Sequence, residues 1–123
     1  MVALHLQRGA AAEVFATEYL QMQGLSVIAR NLRCKAGEID IVCLDHEVLV
    51  IVEVRQRGRS NFGGGLASVT RKKQRKLIRA TKFHWQRQPD WRARVLRFDV
   101  IALQDRPDGG HELTWIQDAF RAG

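Results

Sequence analysis

Apolar positions recur at two spacings along the chain. Between residues 8 and 24, Ala12, Phe15, Ala16, Tyr19 and Leu20 fall three and four apart, which predicts a helix, and Gly24 supplies its stop. From residue 25 the period shortens. LSVIARNLR (25–33), GEIDIVCL (37–44) and EVLVIVEVRQR (47–57) read as strands. The last two are separated by a short polar turn at Asp45-His46, which predicts an antiparallel hairpin. Ile39, Ile41 and Cys43 alternate with Val42 and Leu44, and Leu49 and Ile51 with Val50 and Val52. A sheet apolar on both faces must be covered on both. A helix returns from Val69 to about Gln88, with Thr70 or Ser68 as cap and Pro89 as its end. RVLRFDVIAL (94–103) is a fourth strand, PDGG (107–110) a turn, and HELTWI (111–116) fits a short edge strand. The order α-β-β-β-α-β predicts an α/β fold, a mixed four- to five-stranded sheet flanked by helices.

Length adds that residues 1–123 make one domain, with its core over about 8–103 and a C-terminal extension over 104–123. Repeats, linkers and low-complexity tracts are absent from the sequence. No apolar run approaches the roughly 20 residues of a membrane span, and Glu13 interrupts the N-terminus too early for a signal peptide. Cys34 and Cys43 have neither metal-type spacing nor the density of a disulfide scaffold. A cytoplasmic protein is the expectation.

Charge changes the picture more. The net charge is +7, and fourteen of the twenty Lys and Arg residues lie between positions 55 and 97 with a single acid, Asp90. The rest of the chain carries six bases against twelve acids. A uniformly solvated surface interleaves its signs; this segregation points to a polyanion partner, nucleic acid in particular.

The candidate chemistry begins in the hairpin. Asp40 and Glu53 are carboxylates in or at the end of otherwise apolar strands, where a charge is costly unless a cation accompanies it. A two-residue loop at Asp45-His46 puts them diagonally on one face, and a four-residue loop puts them directly opposite. A three-residue loop sends them to opposite faces. Mg²⁺ suits one or two carboxylates completed by water and phosphate oxygens; an arginine bridge is the structural alternative. Glu13 stands at the edge of the first helix's apolar stripe and is a third acid that can lean toward the pair. Gln74, Ile78, Thr81 and Trp85 form one stripe of the second helix, so Gln74 also faces the sheet. Arg71, Lys72, Lys73, Arg75, Lys76 and Arg79 surround it, with Arg57 and Arg59 upstream, all suited to phosphate contacts. The four histidines have no ligand spacing, and the tryptophans read as packing, with Trp91 the best placed to stack on a base. Gly63–Gly65 lacks the lysine of a phosphate loop and reads as a flexible stretch.

These motifs resemble the PD-(D/E)XK nuclease superfamily: an acid in one strand, Glu-x-basic in the next, and a glutamate in the preceding helix. More closely, the chain resembles the YraN-like family of small bacterial proteins described as predicted endonucleases related to Holliday-junction resolvases. The resemblance runs from about Arg8 to Leu103, through Gly9, Ala12-Glu13, Tyr19-Leu20, Asn31 with Arg33, GEIDIV, VEVR, FG at 62–63, VTRKKQRKL and RFDVIA. It implies a restriction-endonuclease-like core and hydrolysis of DNA phosphodiesters, branched or structured DNA above all, with Mg²⁺ or Mn²⁺. Asp40 and Glu53 would be the metal ligands beside the Val54 carbonyl, Glu13 an accessory acid and Gln74 a helix residue completing the site. A homodimer is a further expectation, because a junction presents two strands to cut. One departure stands out: the family usually has lysine two residues after the strand glutamate, and this chain has Arg55. Arginine stays protonated, so Arg55 suits phosphate holding better than general-base work. A nucleic-acid-binding module, for DNA or RNA, that keeps the fold without turnover is therefore the alternative.

Overall fold

The chain runs α1 (Val2–Met22), β1 (Ser26–Cys34), β2 (Gly37–Asp45), β3 (Val48–Arg57), α2 (Arg71–Arg87), α3 (Pro89–Arg92), β4 (Leu96–Asp105) and β5 (His111–Phe120). This computed structural model describes residues 2–57 and 69–122, and side chains from residue 11 onward. Arg59, Ser68 and the glycines at 63–65 lie outside the described residues. The sheet order is β1-β2-β3-β4-β5. β3 and β4 are parallel, which requires a crossover, and α2 with α3 provides it. The remaining neighbours are antiparallel.

Each helix covers one face. α1 lays Ala12, Ala16 and Leu20 against Ile41, Cys43, Val50, Val52 and Ile101; the two alanines let the helix lie close to the sheet. It ends because Gly24, at φ +95°, turns the chain left-handed and lets the Leu25 N–H reach back to the Leu20 carbonyl at 3.1 Å. α2 lays Leu77 and Ala80 against Ile39, Val42, Leu49 and Ile51. Thr70 caps it, accepting from the Lys73 N–H at 3.2 Å.

Two elements depart from the sequence reading. Pro89 does more than follow α2: it opens the short α3, whose Trp91 is 5% exposed and packs in the α2-side core. Trp91 is thus a packing residue, not a stacking platform. β5 reaches Phe120, four residues past the expected 116, because a bulge opposite Phe98–Val100 absorbs a break in register. Asp118 there has φ +52°, and its N–H donates to the Asp99 carboxylate at 2.9 Å.

Asp99 is fully buried, and four donors hold it. Arg97 grips both oxygens, with Nε to Oδ1 at 2.9 Å and a terminal nitrogen to Oδ2 at 3.0 Å; Trp115 Nε1 adds a bond to Oδ2 at 3.0 Å. The same arginine reaches Asp45 at 3.1 Å. This network ties the hairpin turn, β4 and β5 together.

Candidate metal centre at the open end of the hairpin

The β2–β3 turn is His46-Glu47, closed by Asp45 opposite Val48. Pairing runs back through Leu44–Leu49 to Ile41–Val52, and one step further Asp40 falls opposite Glu53. That is the register of the four-residue-loop case, tightened by one extra pair. At this step the regular ladder gives way. The Val54 N–H donates to Asp40 Oδ2 at 2.8 Å, so a side chain of β2 supplies the acceptor.

Asp40 can do this because strict alternation fails beside it. Ile39 packs on the α2 side and Ile41 on the α1 side, although residues two apart on a regular strand share a face. Across β1, Asn31 lies between the pairs Arg30–Ile41 and Leu32–Ile39, and its φ of +54° twists that strand at the same level. The carboxylate of Asp40 is thereby set where it meets groups from both sides of the sheet.

On one side stand Glu13 of α1 and Glu38. Carboxylate oxygens of Glu13, Glu38 and Asp40 lie within 4.8 Å of one another. With its amide oriented to satisfy both neighbours, Asn31 donates to Glu13 Oε1 at 2.7 Å and Glu38 Oε1 at 3.1 Å. Arg33 Nε holds the other Glu38 oxygen at 3.0 Å. Burial, then the charges of Asp40 and Glu38, raise the Glu13 pKa above its ordinary value, with Arg30 and Arg33 opposing.

On the other side stands Glu53. β3 keeps its alternation, so Glu53, Arg55 and Arg57 project on the side of Leu49 and Ile51, toward α2. The Glu53 carboxyl hydrogen-bonds Asp40. Burial first, then the charge of Asp40 and that hydrogen bond, push Glu53 up to about 9, against the pull of Arg55 and Lys73. At neutral pH Glu53 therefore keeps its proton and donates it in the hydrogen bond to Asp40.

The structure brings Asp40, Glu53 and Glu13 together, with Arg55 and Lys73 close enough to act on Glu53. Gln74 turns to its own helix entrance, where Nε2 donates to the Val69 carbonyl at 3.0 Å. Arg71, Lys72, Arg75, Lys76 and Arg79 are exposed along α2, and Arg57 is half-buried at the end of β3. Four of the other bases in the 55–97 stretch have structural roles. Arg92 caps the α2 carbonyls of Trp85 and Gln86, Arg94 pairs with Asp90, Arg97 holds Asp99, and Arg87 stacks on Phe83. Two members of the cluster, Glu38 and Asn31, were not singled out as site residues from the sequence. Glu38 was findable, since it stands two residues before Asp40 on one strand; Asn31 depends on a left-handed backbone that the sequence does not announce.

An all-carboxylate, hard-oxygen set suits Mg²⁺ or Mn²⁺. Ligand oxygens on a cation with bonds of about 2.1 Å lie roughly 3 to 4 Å apart, so this trio needs only a small closure. The proton between Asp40 and Glu53 holds a place that a cation's charge can take.

The family model of the uncharacterised protein family UPF0102 matches residues 12–103, a span that includes every residue of this cluster. The chain is 48% identical over 112 residues to a UPF0102 protein of Pseudomonas putida (strain GB-1), covering 91% of each chain. It is 46% identical over 112 residues to one from Pseudomonas entomophila (strain L48), again covering 91% of each. A UPF0102 protein of Pseudomonas fluorescens (strain Pf0-1) is 45% identical over 116 residues, 94% of each chain.

Proposed function

The chain belongs to the uncharacterised protein family UPF0102, the YraN-like group that its motifs resemble, and from that premise we propose that it is a metal-dependent endonuclease with a restriction-endonuclease-like core, acting on branched or structured DNA. The observation that carries this reading is the meeting of Glu13, Glu38, Asp40 and Glu53 at one opening of the sheet, beside the cationic α2.

Asp40 and Glu53 would hold Mg²⁺ or Mn²⁺, with Glu13 and Glu38 completing the acidic wall. When bound, such an ion polarises a phosphate oxygen and makes an attending water more acidic. The chain's own groups do the rest. Asp40, fixed by the Val54 N–H, sets the position of the acids. Arg55 sits on the α2 side of Glu53 and neutralises charge that builds on the phosphate. The exposed arginines and lysines of α2 hold the flanking backbone without reading sequence. In the reaction water adds its oxygen to phosphorus and gives up a proton, and the P–O bond to one sugar oxygen breaks, that oxygen taking a proton in turn.

Arg55 in place of the family's usual lysine favours a second reading, a nucleic-acid-binding module that no longer cuts. Incubating wild type and Asp40→Asn with a labelled four-way junction and Mg²⁺ or Mn²⁺ separates the two. Cutting by wild type alone supports the nuclease. Salt-dependent binding by both, with no cutting of any DNA or RNA tried, replaces it with the binding module.

A further inference from the structure

We propose that Lys73, delivered by α2, is the residue that contacts the phosphate held at the Asp40–Glu53 end of the hairpin. The inference rests on the nuclease reading for its substrate and extends it to a residue outside β3.

The geometry begins with α2. Leu77, Ala80 and Thr81 are its buried face. Lys73 and Gln74 precede Leu77 by four and three residues, so they lie on the same face one turn nearer the helix start. Gln74 is tied to the Val69 carbonyl at 3.0 Å. Lys73 is the remaining first-turn side chain on that face, and it is half-buried while Arg71, Lys72, Arg75 and Lys76 are exposed. From β3, Glu53, Arg55 and Arg57 project toward it. The ammonium feels all three: Glu53 attracts it, and Arg55 and Arg57 repel it.

Among the described residues Lys73 makes no ion pair within 4.0 Å. It is partly desolvated, and the β3 groups that act on it are two repelling guanidiniums, Arg55 and Arg57, and one attracting carboxyl, Glu53. A partly desolvated ammonium without an ion pair is stabilised by an anion brought against it. A phosphodiester bound against Asp40 and Glu53 supplies that anion at the right place. Its non-bridging oxygens would face Lys73 and Arg55 while its other side faces the acids and their cation. The charged ammonium donates hydrogen bonds in this role and transfers no proton.

Lysine footprinting on the full chain tests this. The protein is acetylated with and without an immobile four-way junction, in Ca²⁺, and modification of each lysine is read by mass spectrometry. The DNA should slow acetylation of Lys73 at least tenfold in wild type, and less than twofold in Asp40→Asn or in Glu53→Gln, which keeps the hydrogen bond to Asp40. Lys82, exposed two turns further along α2, should change less than twofold throughout. Unslowed acetylation of Lys73, or slowing that survives loss of the acids, overturns the proposal. Under Mg²⁺ or Mn²⁺, Lys73→Gln should lower kcat about a hundredfold with KM within threefold, and Lys73→Arg should recover at least a tenth of the rate. If wild type cuts nothing, the nuclease reading falls, and the footprint still decides whether Lys73 meets an acid-dependent phosphate.

Discussion

The side chain of Asp40 accepts the backbone N–H of Val54 at 2.8 Å, a bond from the residue that follows its partner Glu53. One carboxylate therefore serves the strand ladder and the acid cluster together. Substitutions at this position separate the two roles. Asp40→Asn keeps an oxygen for Val54 and should leave folding stability within about 1 kcal/mol, whereas Asp40→Ala strands a backbone donor and should cost about 1–3 kcal/mol. Both should lose Mn²⁺ binding. Urea denaturation and a Mn²⁺ titration followed by electron paramagnetic resonance read the two effects independently.

Glu53 makes stability depend on pH. Its folded pKa is raised from 4.5 to about 9 by burial and by Asp40, so between those values the native state holds a proton that the unfolded chain has released. Stability then falls as pH rises through that window. Glu53→Gln keeps the hydrogen bond without the titration. In EDTA its melting temperature should match wild type near pH 5 and exceed it by several degrees at pH 9. Equal melting temperatures at both values would remove the proton on Glu53.

The same proton should leave when a divalent ion binds. Calorimetric titration of wild type with Mn²⁺ at pH 7, in two buffers of different ionisation enthalpy, should count about one proton released per ion. Affinity should weaken as pH is lowered. Binding that releases no proton at pH 7 would place the ion away from Glu53.

In β4, Asp99→Ala should cost about 3–5 kcal/mol, because it leaves the Arg97 guanidinium without its buried partner. It also releases the Trp115 indole and the Asp118 N–H. The loss should appear in denaturant unfolding and in altered tryptophan fluorescence, with Mn²⁺ affinity of the folded fraction unchanged.

Trp91→Ala should likewise act through packing. Removing a side chain that is 5% exposed in the α2-side core should cost about 3–5 kcal/mol. The folded fraction should bind DNA as wild type does; a tenfold loss of affinity there would return Trp91 to the nucleic-acid surface.

The order of the two long helices and the strands was legible from their periods and stop signals, as with Ala12, Ala16 and Leu20 before Gly24, whereas the four-residue α3 is too short to show a period. The meeting of Asp40 and Glu53 was legible only up to a choice of loop, since alternation fixes faces once register is known and register depends on the turn. Glu13 was legible as an edge position. Glu38 is an exposed acid that joins the cluster because Asn31 bridges it to Glu13. That bridge comes from a left-handed residue that shifts alternation on two strands at once, and a count of odd and even positions cannot see it. The charge surplus also misled in part. Arg92 and Arg97 look like members of a basic surface, yet one closes a helix and the other neutralises a buried acid.

The parallel pairing of β3 with β4 carries a last consequence, for folding. β1, β2 and β3 are joined by short turns and pair with their neighbours in sequence, whereas β4 reaches β3 only after α2 and α3 have been made. Local pairings close with less loss of chain entropy than distant ones and form sooner. By this reasoning the three-strand meander, which carries Glu38, Asp40 and Glu53, is expected to form before the basic helix docks. On that order of closure, the acids of β2 and β3 would be assembled in a refolding chain before α2 brings their counter-charge.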